Sequence, residues 1–171
     1  VIVHCCTVRA VAEEIAKGIP SDMGLVIAGA LLHDIGRSKD HTIMHAVGGA
    51  EMAERFGLPP ELISIIRKHI GAGVDDRDAE ELGLPKWDYI PRTMEERIVA
   101  HADNLVSDNR VVSHLHSVEK LRSKGSYRGA DRIASLHNEL SKIYGRDLDI
   151  VALSLGDAPA LTALCVSLAG K

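Results

Sequence analysis

The chain is predicted to be all-α, and three observations carry that prediction. Apolar residues recur at steps of three and four in segment after segment, and no stretch reads as a convincing strand. Glycine and proline punctuate these segments at helical lengths. Aromatics are 3% of the 171 residues while hydrophobic residues are 46%, so the core has to be built from Ala, Leu, Ile and Val. A chain of this length buries such a core without covalent staples.

Val1, His4, Val8, Val11 and Ile15 mark an amphipathic helix over 1–17, with His4 on the apolar stripe. Gly18 and Pro20 end it. Ser21 or Asp22 caps the next helix, which closes at His33-Asp34. In that helix Val26, Ala30 and His33 share one line and Ile27, Leu31 and Asp34 the next. Both polar side chains therefore point toward the core, with Gly36 placed just past the helix end. Residues 37–42 read as a polar loop.

A third helix, 43–56, holds His45 with Gly48, Gly49 and Met52 on its side. Each glycine costs a helix about 1 kcal/mol against alanine, so backbone or ligand is expected to come close there. Gly57 stops the helix, and Pro59-Pro60-Glu61 opens another over 60–70, with Leu62, Ile65, Ile66 and His69 on one face. Residues 72–92 hold no strong period and read as a long loop, with or without a short helix. Such loops are usually functional or mobile, and this one is expected to pass beside the site as a lid. Thr93 to Glu96 forms a capping box for a helix reaching about Val106, with Asp103 between Val99 and Val106.

Two polar amphipathic helices follow, 113–124 and 127–144, parted at Gly125 and closed by Gly145. Asp147 to Leu153 adds a further turn. A tail helix from about 158 to 169 sets Leu161, Leu164, Cys165 and Leu168 on one side. That stripe has to be covered, and a homodimer is the expected cover. The division is a domain over 1–110 and a C-terminal helical extension over 111–171.

Net charge is −4 and there is no long basic run, so a nucleic-acid partner held by electrostatics is not expected. Arg37 with Lys39 and Arg67 with Lys68 suffice for a small phosphate-bearing ligand. Three cysteines, two of them the neighbours Cys5 and Cys6, make no disulfide framework and suit a reducing cytoplasm. No secretory signal and no membrane-spanning apolar run is visible. The opening Val-Ile-Val-His has neither a methionine nor a helix cap, so residues are expected upstream of Val1.

The function-bearing pattern lies in the first five long helices. Each places a metal-type residue on an apolar face: His4, then His33 and Asp34, then His45, then His69, then Asp103. An imidazole beside a buried carboxylate needs either a divalent cation or a private hydrogen-bond pair. Helical bundles build metal sites from inward-pointing ligands on facing helices. Imidazole and carboxylate without thiolate suit Mn, Fe, Co, Ni, Zn or Mg.

The order His4, His33-Asp34, Asp103, with His-Asp-Ile-Gly-Arg at 33–37, resembles the HD-domain superfamily of metal-dependent phosphohydrolases. The run His-Ala-x-x-Gly-Ala at 45–50 is similar to the bacterial hydrolases of diadenosine tetraphosphate, and the whole is similar to small archaeal HD proteins. The resemblance spans about 1–107 and implies an HD-domain helical bundle. It further implies one metal held by His4, His33, Asp34 and Asp103. A second would be held by His45 and His69 with Asp34 bridging. Arg37 would stand near the metals and hold a phosphate oxygen through its planar fork. His69 is followed by isoleucine, not a second histidine, which argues against cyclic di-GMP as substrate.

Other readings stay open. His41 could stand in for His45 as a ligand. His101 points elsewhere on its helix, as a residue behind the ligands or at the surface. Trp87 and Tyr89 could stack on a base or serve as packing plugs. Lys68 reads as solvated, and Asp75 and Asp76 as ordinary exposed charges. The function expected is hydrolysis of a nucleotide or other small phosphoester by a metal-activated water. The alternatives are a non-catalytic module that binds a nucleotide or partner, and an RNA-directed phosphodiesterase.

Overall fold

Helices formed where the apolar period demanded them. The computed structural model describes residues 1–156, and nine α-helices make up most of that span. They are α1 (Ile2–Gly18), α2 (Met23–Leu32), α3 (His45–Arg55), α4 (Pro60–Lys68), α5 (Asp76–Glu81), α6 (Met94–Asn104), α7 (His114–Ser123), α8 (Tyr127–Tyr144) and α9 (Leu148–Leu153). The amphipathic tail expected over 158–169 lies outside the described residues. No helix among those described is long and apolar enough to cross a membrane.

The caps are the ones local chemistry asks for. Asp22 accepts from the Leu25 backbone N–H at the start of α2, and Asp147 does the same for the start of α9. Thr93 and Glu96 form the full capping box of α6. Gly145 closes α8 in the left-handed region at φ 84°, where a side chain would be strained.

Two features depart from expectation. The 37–42 loop begins inside a 3₁₀ turn, Ile35–Ser38, so Gly36 lies past the end of α2, as expected, but within that turn. A two-residue ladder also exists, β1 (Val106–Ser107) against β2 (Arg110–Val111), joined through Asp108 and Asn109. Asp108 has φ 53°, as the left-handed position of a two-residue hairpin requires. A ladder this short has no period to reveal it.

The main core lies around α1 and α6. Val8, Val11, Ala12 and Ile15 meet Val26 and Ala30 of α2, Ile65 of α4, and Ile98, Val99 and Ala102 of α6. The helices after residue 111 join the same cluster through Val118, Ala130, Ile133, Leu136, Leu140, Leu148, Val151 and Ala152. A smaller cluster gathers Ala53, Leu62 and Ile66. Another gathers Val47, Val74, Ala79, Leu84 and Tyr89, with Trp87 packed against it.

The segment 72–92 contains α5 and is tied down. Asp75 caps α5 and pairs with Arg132 at 2.8 Å, so it is not an idle surface charge. Asp78 meets both Arg128 and Arg132, and the Arg132 Nε–H donates to the Gly73 carbonyl at 3.0 Å.

Lys68 is buried rather than solvated. Its ammonium reaches Glu96 Oε1 at 3.2 Å, where Glu96 also accepts from Ser64 Oγ and from the Arg92 and Thr93 backbone. Burial opposes ionisation of Glu96, but the Ser64 and backbone donors outweigh it and hold the carboxyl below its usual range. A lowered pKa stabilises the fold above the unfolded value, and that stabilisation is lost as pH falls through the folded one. Glu96→Gln should therefore cost about 2 kcal/mol at pH 7, since it leaves the buried ammonium only the more exposed Asp88 carboxylate at 3.4 Å. The gap to wild type should narrow below about pH 4.3, as read by urea unfolding across pH.

Candidate metal centre

Each ligand-type side chain is placed by a local backbone rule. His33 and His69 are the residues that end α2 and α4, where carbonyls of the last turn lack an intrahelical donor. His33 Nδ1 donates to the Ala30 carbonyl at 2.8 Å and His69 Nδ1 to the Ile66 carbonyl at 2.7 Å. His45 Nδ1 donates to the Thr42 carbonyl at 2.5 Å, again three residues back. His4 Nδ1 donates to the Asp108 carbonyl at 2.7 Å, which makes the hairpin turn part of the site. A carbonyl only accepts, so all four rings carry their proton on Nδ1. In each neutral ring Nε2 is then the lone-pair nitrogen.

Those lone pairs converge on two carboxylates. His45 and His69 Nε2 lie 3.1 and 3.6 Å from Asp34 Oδ1. His33 and His4 Nε2 lie 3.8 and 4.0 Å from Asp34 Oδ2. Asp103 Oδ1 lies 3.0 Å from His4 Nε2 and 3.6 Å from His33 Nε2. The Nε2 atoms of His45 and His69 are 3.1 Å apart. His33, Asp34, His45 and His69 are all buried.

Lone pairs facing lone pairs repel unless a proton or a cation sits between them. His69 is a poor holder of that proton, because burial pushes its pKa below the ordinary imidazole range. His4 is the exception. Burial lowers its pKa too, but the hydrogen bond to Asp103 more than offsets this and leaves it raised. Burial opposes ionisation of Asp34 and Asp103 as well. Protons shared between ring and carboxylate, as hydrogen bonds from His45 and His69 at the first and from His33 and His4 at the second, hold both carboxyls well below their usual range. Asp34 Oδ1 and His33 Nε2 are buried with no hydrogen-bond partner of sound geometry. The donor set therefore fits divalent cations. His4, His33 and Asp34 form one group that could hold an ion, Asp34, His45 and His69 another, and His33, His69 and Asp103 a third.

Two glycines set the spacing. A Cβ on Gly36 would stand 1.9 Å from the His45 carbonyl oxygen, so the 3₁₀ turn after Asp34 lies directly on the start of α3. On Gly49 a Cβ would meet Ile66 at 3.0 Å and the Gly36 nitrogen at 3.1 Å, whereas Gly48 faces open space. The close approach expected of the α3 glycines belongs to Gly49 alone.

The structure brings His4, His33, Asp34, His45, His69 and Asp103 together, with Arg37 at the edge. Arg37 Nε donates to Asp34 Oδ2 at 2.7 Å and Nη1 to the His41 carbonyl at 3.3 Å. Part of its fork thus steadies Asp34. His41 is exposed, and His45 occupies the place it was weighed for. His101 is fully buried, not at the surface, and faces His137 on α8. Trp87 is not brought to the cluster; the Arg67 guanidinium lies over its ring at 4.9 Å. A cavity of about 600 Å³ opens beside His4, Asp34 and Asp103, and its walls include Arg37, Asn104, Asn109, Ser117 and Lys120. No residue of 72–92 lines it. Ser117 and Lys120 come from α7, beyond the stretch whose pattern was informative, so nothing local marked them.

The HD domain family matches residues 1–108, the span that supplies all six of these side chains. The chain belongs to the HD domain family. Among relatives, the tRNA (cytidine(56)-2'-O)-methyltransferase of Picrophilus torridus is 47% identical over 91% of this chain and 46% of its own length. The uncharacterized protein MJ0778 of Methanocaldococcus jannaschii is 41% identical over 84% of this chain and 89% of its own. Ribonuclease Y of Acidothermus cellulolyticus is 28% identical over 90% of this chain and 28% of its own. The HD chain thus spans about half the length of the Picrophilus relative. No solved structure gives a significant match.

Gly36→Ala should cost about 1–3 kcal/mol and weaken metal affinity by pushing α3, and with it His45, away from Asp34. Gly48→Ala should be neutral or stabilising by up to about 1 kcal/mol. Denaturant titration and Mn²⁺ binding on the two variants check the pair.

Proposed function

We propose that this HD domain is a divalent-metal phosphohydrolase acting on a phosphoester of RNA or of a ribonucleotide cut from it. The observation that carries the reading is the buried Asp34 carboxylate, with one oxygen turned to His45 and His69 and the other to His4 and His33. A carboxylate so placed suits a bridge between two cations, with His4, His33 and Asp103 on one side and His45 and His69 on the other. When bound, two such cations polarise a phosphoryl oxygen and acidify water for in-line attack.

The remaining work falls to this chain's own side chains. Arg37 steadies Asp34 through Nε and presents the rest of its fork to the cavity, where it orients a phosphate oxygen. Lys120, on the cavity wall, draws the anionic substrate in. Asn104 donates to the Gly71 carbonyl at 2.9 Å and so stiffens the wall between α4 and α6.

RNA enters because two of the relatives are named for a tRNA activity and a ribonuclease activity. Those names run against the expectation that nucleic acid is an improbable partner. That expectation rested on net charge, which averages over the molecule, whereas the charge that matters is local to Arg37 and Lys120. Methyl transfer is the weaker reading. The matched part is under half of the Picrophilus protein, and a cluster of imidazole lone pairs around carboxylates is built for cations, not for a methyl donor.

Purified protein loaded with Mn²⁺ or Fe²⁺ should hydrolyse short oligoribonucleotides or ribonucleotide phosphoesters. Asp34→Asn should lose more than the roughly 10–100-fold that loss of a supporting partner brings. No turnover on any of these substrates by folded, metal-loaded protein would favour the binding-module reading. The two-cation reading has its own check. His45→Ala combined with His69→Ala should hold one metal equivalent fewer than wild type by elemental analysis, and equal content would sink it.

A further inference from the structure

A second gathering of imidazoles and a carboxylate lies where α6, α7, α8 and α9 meet, away from the Asp34 cluster. It comprises His101 of α6, His114 at the start of α7, His137 of α8 and Asp149 of α9. His101 Nε2 lies 3.2 Å from His137 Nδ1. His114 Nδ1 lies 2.9 Å from Asp149 Oδ2, and His137 Nδ1 lies 3.8 Å from Asp149 Oδ1. The rings of His114 and His137 stack with centroids 3.6 Å apart and planes 12° apart. His101 and His137 are buried, and His101 Nδ1 is an orphan among the described polar atoms. His137 Nε2 has Ser141 Oγ at 3.4 Å and Asp147 Oδ1 at 3.6 Å.

Three imidazoles, with His137 between the other two, are an expensive way to fill a core. An apolar residue would pack as well, and buried polar nitrogens without partners cost stability. We propose that His114, His137 and Asp149 form a separate site for a d-block dication of the zinc type.

The spacing suits it. Bonds of about 2.0–2.1 Å to nitrogen and oxygen give a coordination tetrahedron with edges of about 3.3 Å, and the two histidines stand at comparable range from the carboxylate, His114 Nδ1 2.9 Å from Asp149 Oδ2 and His137 Nδ1 3.8 Å from Asp149 Oδ1. The ligand atoms of His114, His137 and Asp149 all lie within 4.8 Å of one another. Parallel rings do not both aim at one ion, so one must tilt. His114 is the free one, at the first turn of α7 with its side chain 14% exposed against 3% for His137. Three donors from α7, α8 and α9, with the fourth place left to water, suit an ion that ties these three helices together.

The test uses the full chain, stripped with chelator and titrated with Zn²⁺, and separately with Co²⁺ as a spectroscopic stand-in. Wild type should hold one equivalent more Zn²⁺ than either His114→Gln or Asp149→Asn, whatever the Asp34 cluster binds. Asp34→Asn should keep the intense visible bands of tetrahedral Co²⁺, and the His114→Gln, Asp34→Asn double variant should lose them. Zn²⁺ should raise the melting temperature of Asp34→Asn by about 5 °C and leave that of the His114→Gln, Asp34→Asn double variant unmoved. Equal Zn²⁺ content in wild type and in both variants, each folded by circular dichroism, would overturn the site and leave only a hydrogen-bonded histidine cluster. Retention of the Co²⁺ bands in the His114→Gln, Asp34→Asn double variant at the strength seen in Asp34→Asn alone would overturn it as well.

Discussion

Four imidazole Nε2 atoms aimed at two carboxylates, buried Asp34 and half-buried Asp103, are the constraint around which this molecule is arranged. Acceptors facing acceptors in a dry interior are unstable without a positive charge between them. The arrangement persists because the backbone forces it. The ends of α2 and α4 and the turn before α3 each present a carbonyl that claims the Nδ1 proton of the histidine three residues on. Once that proton is claimed, the other nitrogen has to point at Asp34 or Asp103.

The rest of the fold holds these ends in register. Gly36 lets the turn after Asp34 touch the start of α3, and Gly29 lets α2 close on α4, where a Cβ would come within 2.8 Å of Ile65. Glu96 caps α6 and at the same time neutralises Lys68 of α4. One carboxylate thereby starts the helix that bears Asp103 and pins the helix that ends in His69. Packing around Val8, Ile15, Ile65 and Ile98 supplies the hydrophobic drive, and the polar contacts decide the geometry.

Much of this was legible in the sequence. Nearly every helix announced itself by period or cap, and the six candidate ligands stood on apolar faces where a solvated side chain has no business. What stayed hidden was non-local. Lys68 sits on the polar side of its own helix period, and only the arrival of α6 buries it. His101 lies two residues before Asp103 and so faces a different neighbour, α8, whose position no local pattern reveals. Ser117 and Lys120 reach the cavity because β1 and β2 turn the chain back. That two-residue ladder depends on Asp108 adopting φ 53° and carries no alternation to read. Of the two readings open for Trp87, stacking on a base or plugging a core, the structure matches the plug, with Arg67 over its face.

The partners of the four histidines are all main-chain carbonyls, those of Ala30, Thr42, Ile66 and Asp108. No side-chain substitution deletes a carbonyl, so ligand orientation here is written into the path of the backbone and is largely immune to point mutation at those four positions. A neutral carbonyl also differs from the carboxylate that often backs a metal-bound histidine, since it adds no negative charge. The centre's anionic count is then only that of Asp34 and Asp103. Two seated dications would exceed it by two positive charges, a surplus that a phosphate dianion is suited to cancel.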